Sequence, residues 1–97
     1  MSREAYVYMM ADRYRGTIYT GVTTAIARRV WQHRSNEGSR FAAAYELHRL
    51  VYVEVHEEIA AAIRREKAIK KWRREWKIEL IESMNPDWLD LYGTLHM

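Results

Sequence analysis

A chain of 97 residues has room for one small domain with a single hydrophobic core. Apolar residues make up 48% of the chain and aromatic residues 12%, which favours a globular fold over disorder. The absence of cysteine excludes disulfides and thiolate metal sites and is typical of a reducing compartment. No segment approaches the roughly 20 apolar residues of a membrane span, and the start has no signal-peptide pattern. These features predict a soluble, cytoplasmic protein with one domain over residues 1–97.

The chain begins with a predicted β-hairpin. Residues 4–10 and 17–22 are rich in aromatic and β-branched side chains, which are typical of strands. Because only residues 11–16 connect them, we expect the two strands to pair antiparallel.

A helix is predicted to follow the hairpin. Thr23 or Thr24 is a favourable N-cap, and the helix is expected to run to about Ser35. Gly38, in the next loop, is well suited to end it. Residues 41–46 are ambiguous, although their alanines suggest a helical turn.

The second half of the chain is predicted to contain one strand followed by several helices. Residues 50–55 are predicted to form a third strand, and residues 57–71 and 74–84 two helices. Asn85 precedes the only proline and is predicted to cap a short closing helix over 87–92. This order predicts an α+β fold, with helices packed on a small three-stranded antiparallel sheet.

Two polar residues lie on the apolar face of the first predicted helix. Arg29 and His33 share this face with Ile26 and Val30, so they are expected to point toward the sheet. Because arginine is almost never buried without a partner, the face must open into a cleft or Arg29 must meet an acidic neighbour. Alternatively, Arg29 lies along the apolar surface with its guanidinium in water.

A carboxylate lies on the apolar face of the second long helix. Glu66 shares this face with Ile59, Ala62 and Ile69, where an unpaired carboxylate would cost several kcal/mol. It must therefore be protonated, paired or bound to a cation. A salt bridge, to Arg29 or Lys70, and a site for Mg²⁺ both remain open, because Mg²⁺ often takes only one or two protein carboxylates.

Basic residues are concentrated between positions 64 and 77. This stretch contains eight basic residues and only two acidic ones, with Trp72 and Trp76 between them. Such a stretch can hold a polyanion through phosphate contacts. A solvated helix face is the alternative interpretation.

Two tripeptides with ten residues between them, Tyr6-Val7-Tyr8 and Tyr19-Thr20-Gly21, resemble the motifs that name the GIY-YIG nuclease family. The spacing of the later polar residues and the run from Glu66 to Trp72 look similar to the small standalone bacterial members. Tyr6 stands where the family name has glycine, and Thr20 where it has isoleucine. The positions that match family site residues are Tyr8, Tyr19, Arg29, His33 and Glu66.

This resemblance implies a GIY-YIG-like domain that hydrolyses phosphodiester bonds in nucleic acid, with DNA as the expected substrate. Glu66 would hold a single Mg²⁺ or Mn²⁺, and Arg29 would stabilise charge on the phosphoryl oxygens. Tyr8 or Tyr19 would orient or deprotonate the attacking water, with His33 in the same proton network. No small-molecule cofactor is expected. The basic residues expected to hold the nucleic-acid backbone are Arg64, Lys67, Lys70, Lys71, Arg73, Arg74 and Lys77.

Two alternatives compete with a nuclease. The first is a nucleic-acid-binding module of the same fold, with weak or no catalytic activity. The second is a purely structural domain whose polar residues form an internal salt bridge.

Overall fold

A three-stranded antiparallel sheet forms the centre of the computed structural model, which describes residues 4–37 and 40–96. The strands are β1 (Ala5–Ala11), β2 (Ile18–Thr23) and β3 (Arg49–His56). They lie in the order β2-β1-β3, so β1 is paired on both sides and β2 and β3 are the edges.

Four α-helices and a short 3₁₀ helix surround the sheet. They are α1 (Ile26–Arg34), α2 (Arg40–Ala44), α3 (Ile59–Lys70), α4 (Arg74–Met84) and the 3₁₀ helix Tyr92–His96. The predicted α+β fold is therefore confirmed, including α2 in the ambiguous segment. No helix in the described part of the chain is long and apolar enough to cross a membrane.

The two faces of the sheet carry different helices, because successive strand residues point to opposite sides. On one face, Val7 and Met9 pack with α3 and α4 through Ala62, Ile69 and Ile81. On the other face, the buried residues that pack together are Tyr8, Met10, Val30 of α1, Leu47 and Leu50. Tyr8 of β1 and the face of α1 that carries Val30 thus lie on the same side of the sheet.

Helix α1 begins later than the sequence predicts. Strand β2 continues through Thr23, which pairs with Tyr6, so the chain needs two further residues to turn into the helix. Ala25 is the N-cap and makes no side-chain cap, whereas the Thr23 hydroxyl accepts a hydrogen bond from the Ala25 amide at 3.0 Å. The prediction of a Thr23 or Thr24 cap was wrong, and Gly38 lies outside the described residues.

The predicted closing helix over 87–92 was also wrong. Asn85 is the C-cap of α4. Its buried side-chain Nδ2 donates to the carbonyl oxygens of Val51 (3.0 Å) and Leu89 (2.9 Å). Its Oδ1 accepts from the Leu89 amide at 3.0 Å. Trp88 adopts a φ of 55°, which interrupts any helix. Asn85 therefore ties an irregular loop to β3, and the 3₁₀ helix forms only afterwards.

The β1–β2 turn is anchored on α4. Arg15 makes two hydrogen bonds to the Glu82 carboxylate, both at 2.8 Å. Arg74 donates to the carbonyl oxygens of Arg15 and of Gly16, the latter at 2.7 Å. These contacts fix the end of the hairpin against the first and last turns of α4.

Gly21 provides the space that Tyr8 occupies. The two residues are directly opposite in the β1–β2 ladder. A Cβ atom at position 21 would lie 2.6 Å from both Cζ and Oη of Tyr8, far inside van der Waals contact. The glycine therefore lets the buried Tyr8 ring approach the neighbouring strand closely.

We expect Gly21→Ala to destabilise the fold by about 1–3 kcal/mol, because the Tyr8 ring must move within a packed core. Gly93→Ala is the matched control, since a Cβ there meets nothing within 4 Å. Urea unfolding of both variants measures the difference. Equal stability of the two variants would contradict the close approach at Gly21.

Candidate active site

A buried hydrogen bond joins Tyr8 of β1 to His33 of α1. The Tyr8 hydroxyl and His33 Nε2 are 2.8 Å apart, and the two residues are 0% and 1% exposed. The Tyr19 ring, from β2, lies 5.1 Å from the His33 ring and 6.2 Å from the Tyr8 ring. Three separate elements therefore meet in one aromatic cluster, which we call the Tyr8–Tyr19–His33 cluster.

The local sequence explains why these side chains converge. Tyr8 and Tyr19 are two positions apart in the ladder, opposite Gly21 and Met10, so both point to the α1 face. Helix α1 packs on that face through Ile26 and Val30. Since His33 follows Val30 by three residues, it shares the inward face of the helix.

Arg29 lies beside this cluster without an acidic partner. Its Nη1 donates to Oε1 of Gln32 at 3.2 Å, and its positive charge acts on the Tyr8 hydroxyl. Within the described ranges, none of the ion pairs involves Arg29. The acidic neighbour considered from the sequence is therefore not what holds Arg29, and its charge is available to an anion.

A small cleft opens at Arg29. It has a volume of about 200 Å³ and is lined by Thr23, Ala25, Arg28, Arg29 and Gln32. Two guanidinium groups among neutral side chains favour a negatively charged occupant. Gln32 and Arg28 were not among the site residues predicted from the sequence, although Gln32 follows Arg29 by one helical turn.

Burial moves the pKa values of Tyr8 and His33 in opposite directions. Burial raises the pKa of Tyr8, the neighbouring Tyr19 adds to this effect, and Arg29 opposes it. Burial lowers the pKa of His33 to about 4, and the charges of Arg29 and His48 act in the same direction. Both groups are therefore neutral at pH 7.

The second nitrogen of the His33 ring has no partner among the described residues. Nδ1 is buried and makes no hydrogen bond, whereas Nε2 bonds to Tyr8. A neutral imidazole carries one donor and one acceptor, so the Tyr8 bond uses only one of them. His33 thus fixes the Tyr8 hydroxyl while keeping one unused polar atom.

Glu66 lies on a helix that packs against the other face of the sheet. It is 8% exposed between Ala62 and Ile69, and its carboxylate is 2.7 Å from Nζ of Lys70. Of the two salt bridges considered from the sequence, to Arg29 or to Lys70, the structure contains the one to Lys70. Helix α3 also contacts the edge strand β2, which carries Tyr19. The structure thus brings four of the five predicted site residues together and places the fifth beside Lys70.

The predicted nucleic-acid-binding residues fall into two groups. Arg64, Lys67 and Lys71 follow the helical spacing of one outer face and are exposed, as is Arg73. By contrast, Lys70 pairs with Glu66, and Arg74 donates to the β1–β2 turn. Lys77 is partly buried, and burial together with the charges of Arg74 and Lys70 lowers its pKa.

Comparison with known proteins identifies relatives of this chain. The model of the GIY-YIG catalytic domain matches residues 4–79. A UPF0213 protein of Haloquadratum walsbyi is 37% identical over 79 residues, which cover 79% of this chain and 85% of that protein. A UPF0213 protein of Desulfotalea psychrophila is 35% identical over 88 residues, covering 90% and 77%. These names state no activity.

A solved structure has the same fold. The solution NMR structure of a UPF0213 protein from Bacillus halodurans is 30% identical, with a TM-score of 0.51. The match covers 81% of this chain and 83% of that one. Because the domain model spans both tripeptides, Arg29, His33 and Glu66, the chain belongs to the GIY-YIG family.

Proposed function

We propose that this protein is a divalent-metal-dependent nuclease that hydrolyses phosphodiester bonds, with DNA as its substrate. The observation that carries this proposal is that Arg29, beside the Tyr8–Tyr19–His33 cluster, lines a small cleft and has no acidic partner in the described part of the chain. A positive charge held in this way suits a phosphate, and membership of a nuclease family supports the same chemistry.

Arg29 would act on the phosphate itself. Its guanidinium is held by Gln32 at one nitrogen, which leaves other N–H groups for phosphoryl oxygens. Negative charge on those oxygens is redistributed in the transition state. A preorganised cation therefore stabilises the transition state more than the ground state. Arg29 therefore contributes to turnover more than to affinity.

Tyr19 is the tyrosine that can contact the attacking water. It is partly exposed, whereas Tyr8 is fully buried and has a raised pKa, so Tyr8 stays protonated and out of reach of solvent. Tyr8 and His33 are therefore positioning residues that hold the Tyr19 ring and the Arg29 guanidinium in place. This assignment chooses between the two tyrosines that the sequence left open.

Glu66 is the residue that would hold the metal. No three acidic or histidine side chains gather into a metal site in the described part of the chain, so Glu66 offers a single carboxylate. A single carboxylate fits Mg²⁺ or Mn²⁺, which take hard oxygen ligands and complete their shells with water and substrate phosphate. The pairing with Lys70 indicates that the position favours positive charge. A bound metal would supply Lewis-acid stabilisation of the leaving oxygen.

Two observations favour a second candidate, a nucleic-acid-binding module without turnover. The Glu66 carboxylate already pairs with Lys70, and α3 packs on the face of the sheet opposite to Tyr8. If the protein is a nuclease, the Glu66 carboxylate must contact the substrate phosphate past the edge of β2, and a metal ion must replace Lys70 as its partner. In the binding module, neither change occurs.

Glu66→Gln is expected to abolish metal-dependent cleavage in an assay with labelled linear and branched DNAs and RNAs. The free energy of unfolding should change by less than about 1 kcal/mol, because Lys70 is half-exposed and can turn into water. Glu75→Gln, at an exposed position in the first turn of α4, is the control that retains activity. DNA binding by the wild type without any metal-dependent product would favour the binding module instead.

His33 should make stability depend on pH. Its pKa is about 4 in the folded protein and about 6.5 when free, so only the unfolded chain takes up a proton between these values. The stability contribution is complete above about pH 6.5 and is lost as the pH falls toward 4, by up to about 3 kcal/mol. Urea unfolding at pH 7.5, 6 and 5 should show a steeper loss for the wild type than for His33→Gln. Parallel curves for the two proteins would exclude a neutral, buried His33.

The exposed residues Arg64, Lys67 and Lys71 should each contact one phosphate. Changing each one to glutamine is expected to weaken binding to all duplex sequences and to lower the slope of log K against log salt by about 0.9. Arg13→Gln is the control, since Arg13 is an exposed arginine on the β1–β2 turn next to Asp12. An equal change of slope for Arg13→Gln would show that binding is not confined to α3.

A further inference from the structure

An open groove between the end of α3 and α4 presents aromatic rings to solvent. It has a volume of about 520 Å³ and is lined by Trp72, Trp76, Glu79, Leu80 and Ser83. The Trp76 side chain is 48% exposed, which is unusual for so large an apolar group. The two rings meet edge-to-face, with centroids 6.3 Å apart and an interplanar angle of 79°. We call this feature the Trp72–Trp76 groove.

Two guanidinium groups lie against the rings of the groove. The Arg73 guanidinium lies 5.4 Å from the centroid of Trp76, and the Arg65 guanidinium lies 5.2 Å from that of Trp72. Arg65 is held by two hydrogen bonds to Glu54, whereas neither Lys71 nor Arg73 forms an ion pair with any described residue. The groove therefore combines exposed aromatic rings with a guanidinium group that has no acidic partner among the described residues, and with one carboxylate, that of Glu79, in its lining.

The combination selects one class of occupant. A duplex offers phosphates to the cations but keeps the faces of its bases inside the stack, so it leaves the tryptophans unused. An apolar helix of another protein would cover the tryptophans but would meet the cations with no partner. An unpaired nucleotide offers both a flat aromatic base and a phosphate, which are the two groups that this surface can bind.

We propose that the Trp72–Trp76 groove binds an unpaired base of a single-stranded nucleic-acid segment, by stacking on Trp76. The Glu79 carboxylate, which lines the groove, can accept a hydrogen bond from an N–H group of the base, such as N3–H of thymine, and Arg73 and Lys71 contact the adjoining phosphates. This inference rests on the proposed function to the extent that the substrate is nucleic acid. It adds that the substrate carries an unpaired segment.

The test compares binding with and without bases. Fluorescence anisotropy, in EDTA so that no cleavage occurs, measures the affinity for a labelled 12-residue oligo-dT and for an abasic strand with the same number of phosphates. The wild type should prefer oligo-dT by about tenfold or more, since stacking of one base supplies a difference of this size. Trp76→Ala should remove the preference and leave affinity for the abasic strand unchanged.

Trp31→Ala is the matched control. Trp31 is 51% exposed on α1, so its removal deletes a tryptophan of nearly equal exposure outside the groove. It should retain the full preference, and Trp76→Phe, which keeps an aromatic face, should retain most of it. If Trp76→Ala does not fold, Trp76→Leu takes its place, because it keeps an apolar side chain but removes the aromatic face, and it should remove the preference in the same way.

Three outcomes would overturn the inference. The first is equal affinity of the wild type for oligo-dT and the abasic strand, and the second is a preference that survives Trp76→Ala. The third is a concentration-dependent dimer, seen by sedimentation, that Trp76→Ala but not Trp31→Ala abolishes, which would assign the groove to a second copy of the chain. Because no metal is present, these outcomes are independent of whether Glu66 supports cleavage.

Discussion

The buried hydrogen bond between Tyr8 and His33 is the interaction on which the rest of the site depends. It joins the central strand to α1, and it requires the missing side chain at Gly21, over which the Tyr8 ring packs. Burial keeps both groups neutral, so neither Tyr8 nor His33 compensates the positive charge of Arg29. In the proposed nuclease, this uncharged support would hold Tyr19 and Arg29 in position for a phosphate.

The sheet divides the electrostatics of the molecule into two regions. On the α1 face, Arg29 has no acidic partner among the described residues, and the cleft favours an anion. On the other side, α3 carries Glu66 with Lys70 along its inner face and three exposed cations along its outer face. Helix α3 also contacts the edge strand β2, which carries Tyr19. Under the proposed function, the carboxylate and the arginine would act on one phosphate at this edge of the sheet.

The sequence predicted the features that depend on local periodicity. The three strands, α3, α4 and the inward orientation of Arg29 and His33 follow from the alternation of apolar and polar residues. The closing helix failed because the Asn85 side chain bonds to β3, an interaction with a residue far away in the chain. The partner of Glu66 and the choice between Tyr8 and Tyr19 also stayed open, since both depend on packing between elements. Periodicity predicts on which face of a helix or strand a residue lies, but it does not predict which residue of another element it contacts.

The proposed function requires that Glu66 and the Tyr8–Tyr19–His33 cluster share one metal-containing site, although α3 and α1 lie on different faces of the sheet. Paramagnetic broadening by Mn²⁺ in ¹⁵N spectra tests this most directly, because the ion broadens only the amide signals near it. We predict broadening at Glu66 together with Tyr19 and Arg29, and its loss in Glu66→Gln. Broadening confined to α3, or a pattern that Glu66→Gln leaves unchanged, would contradict the account.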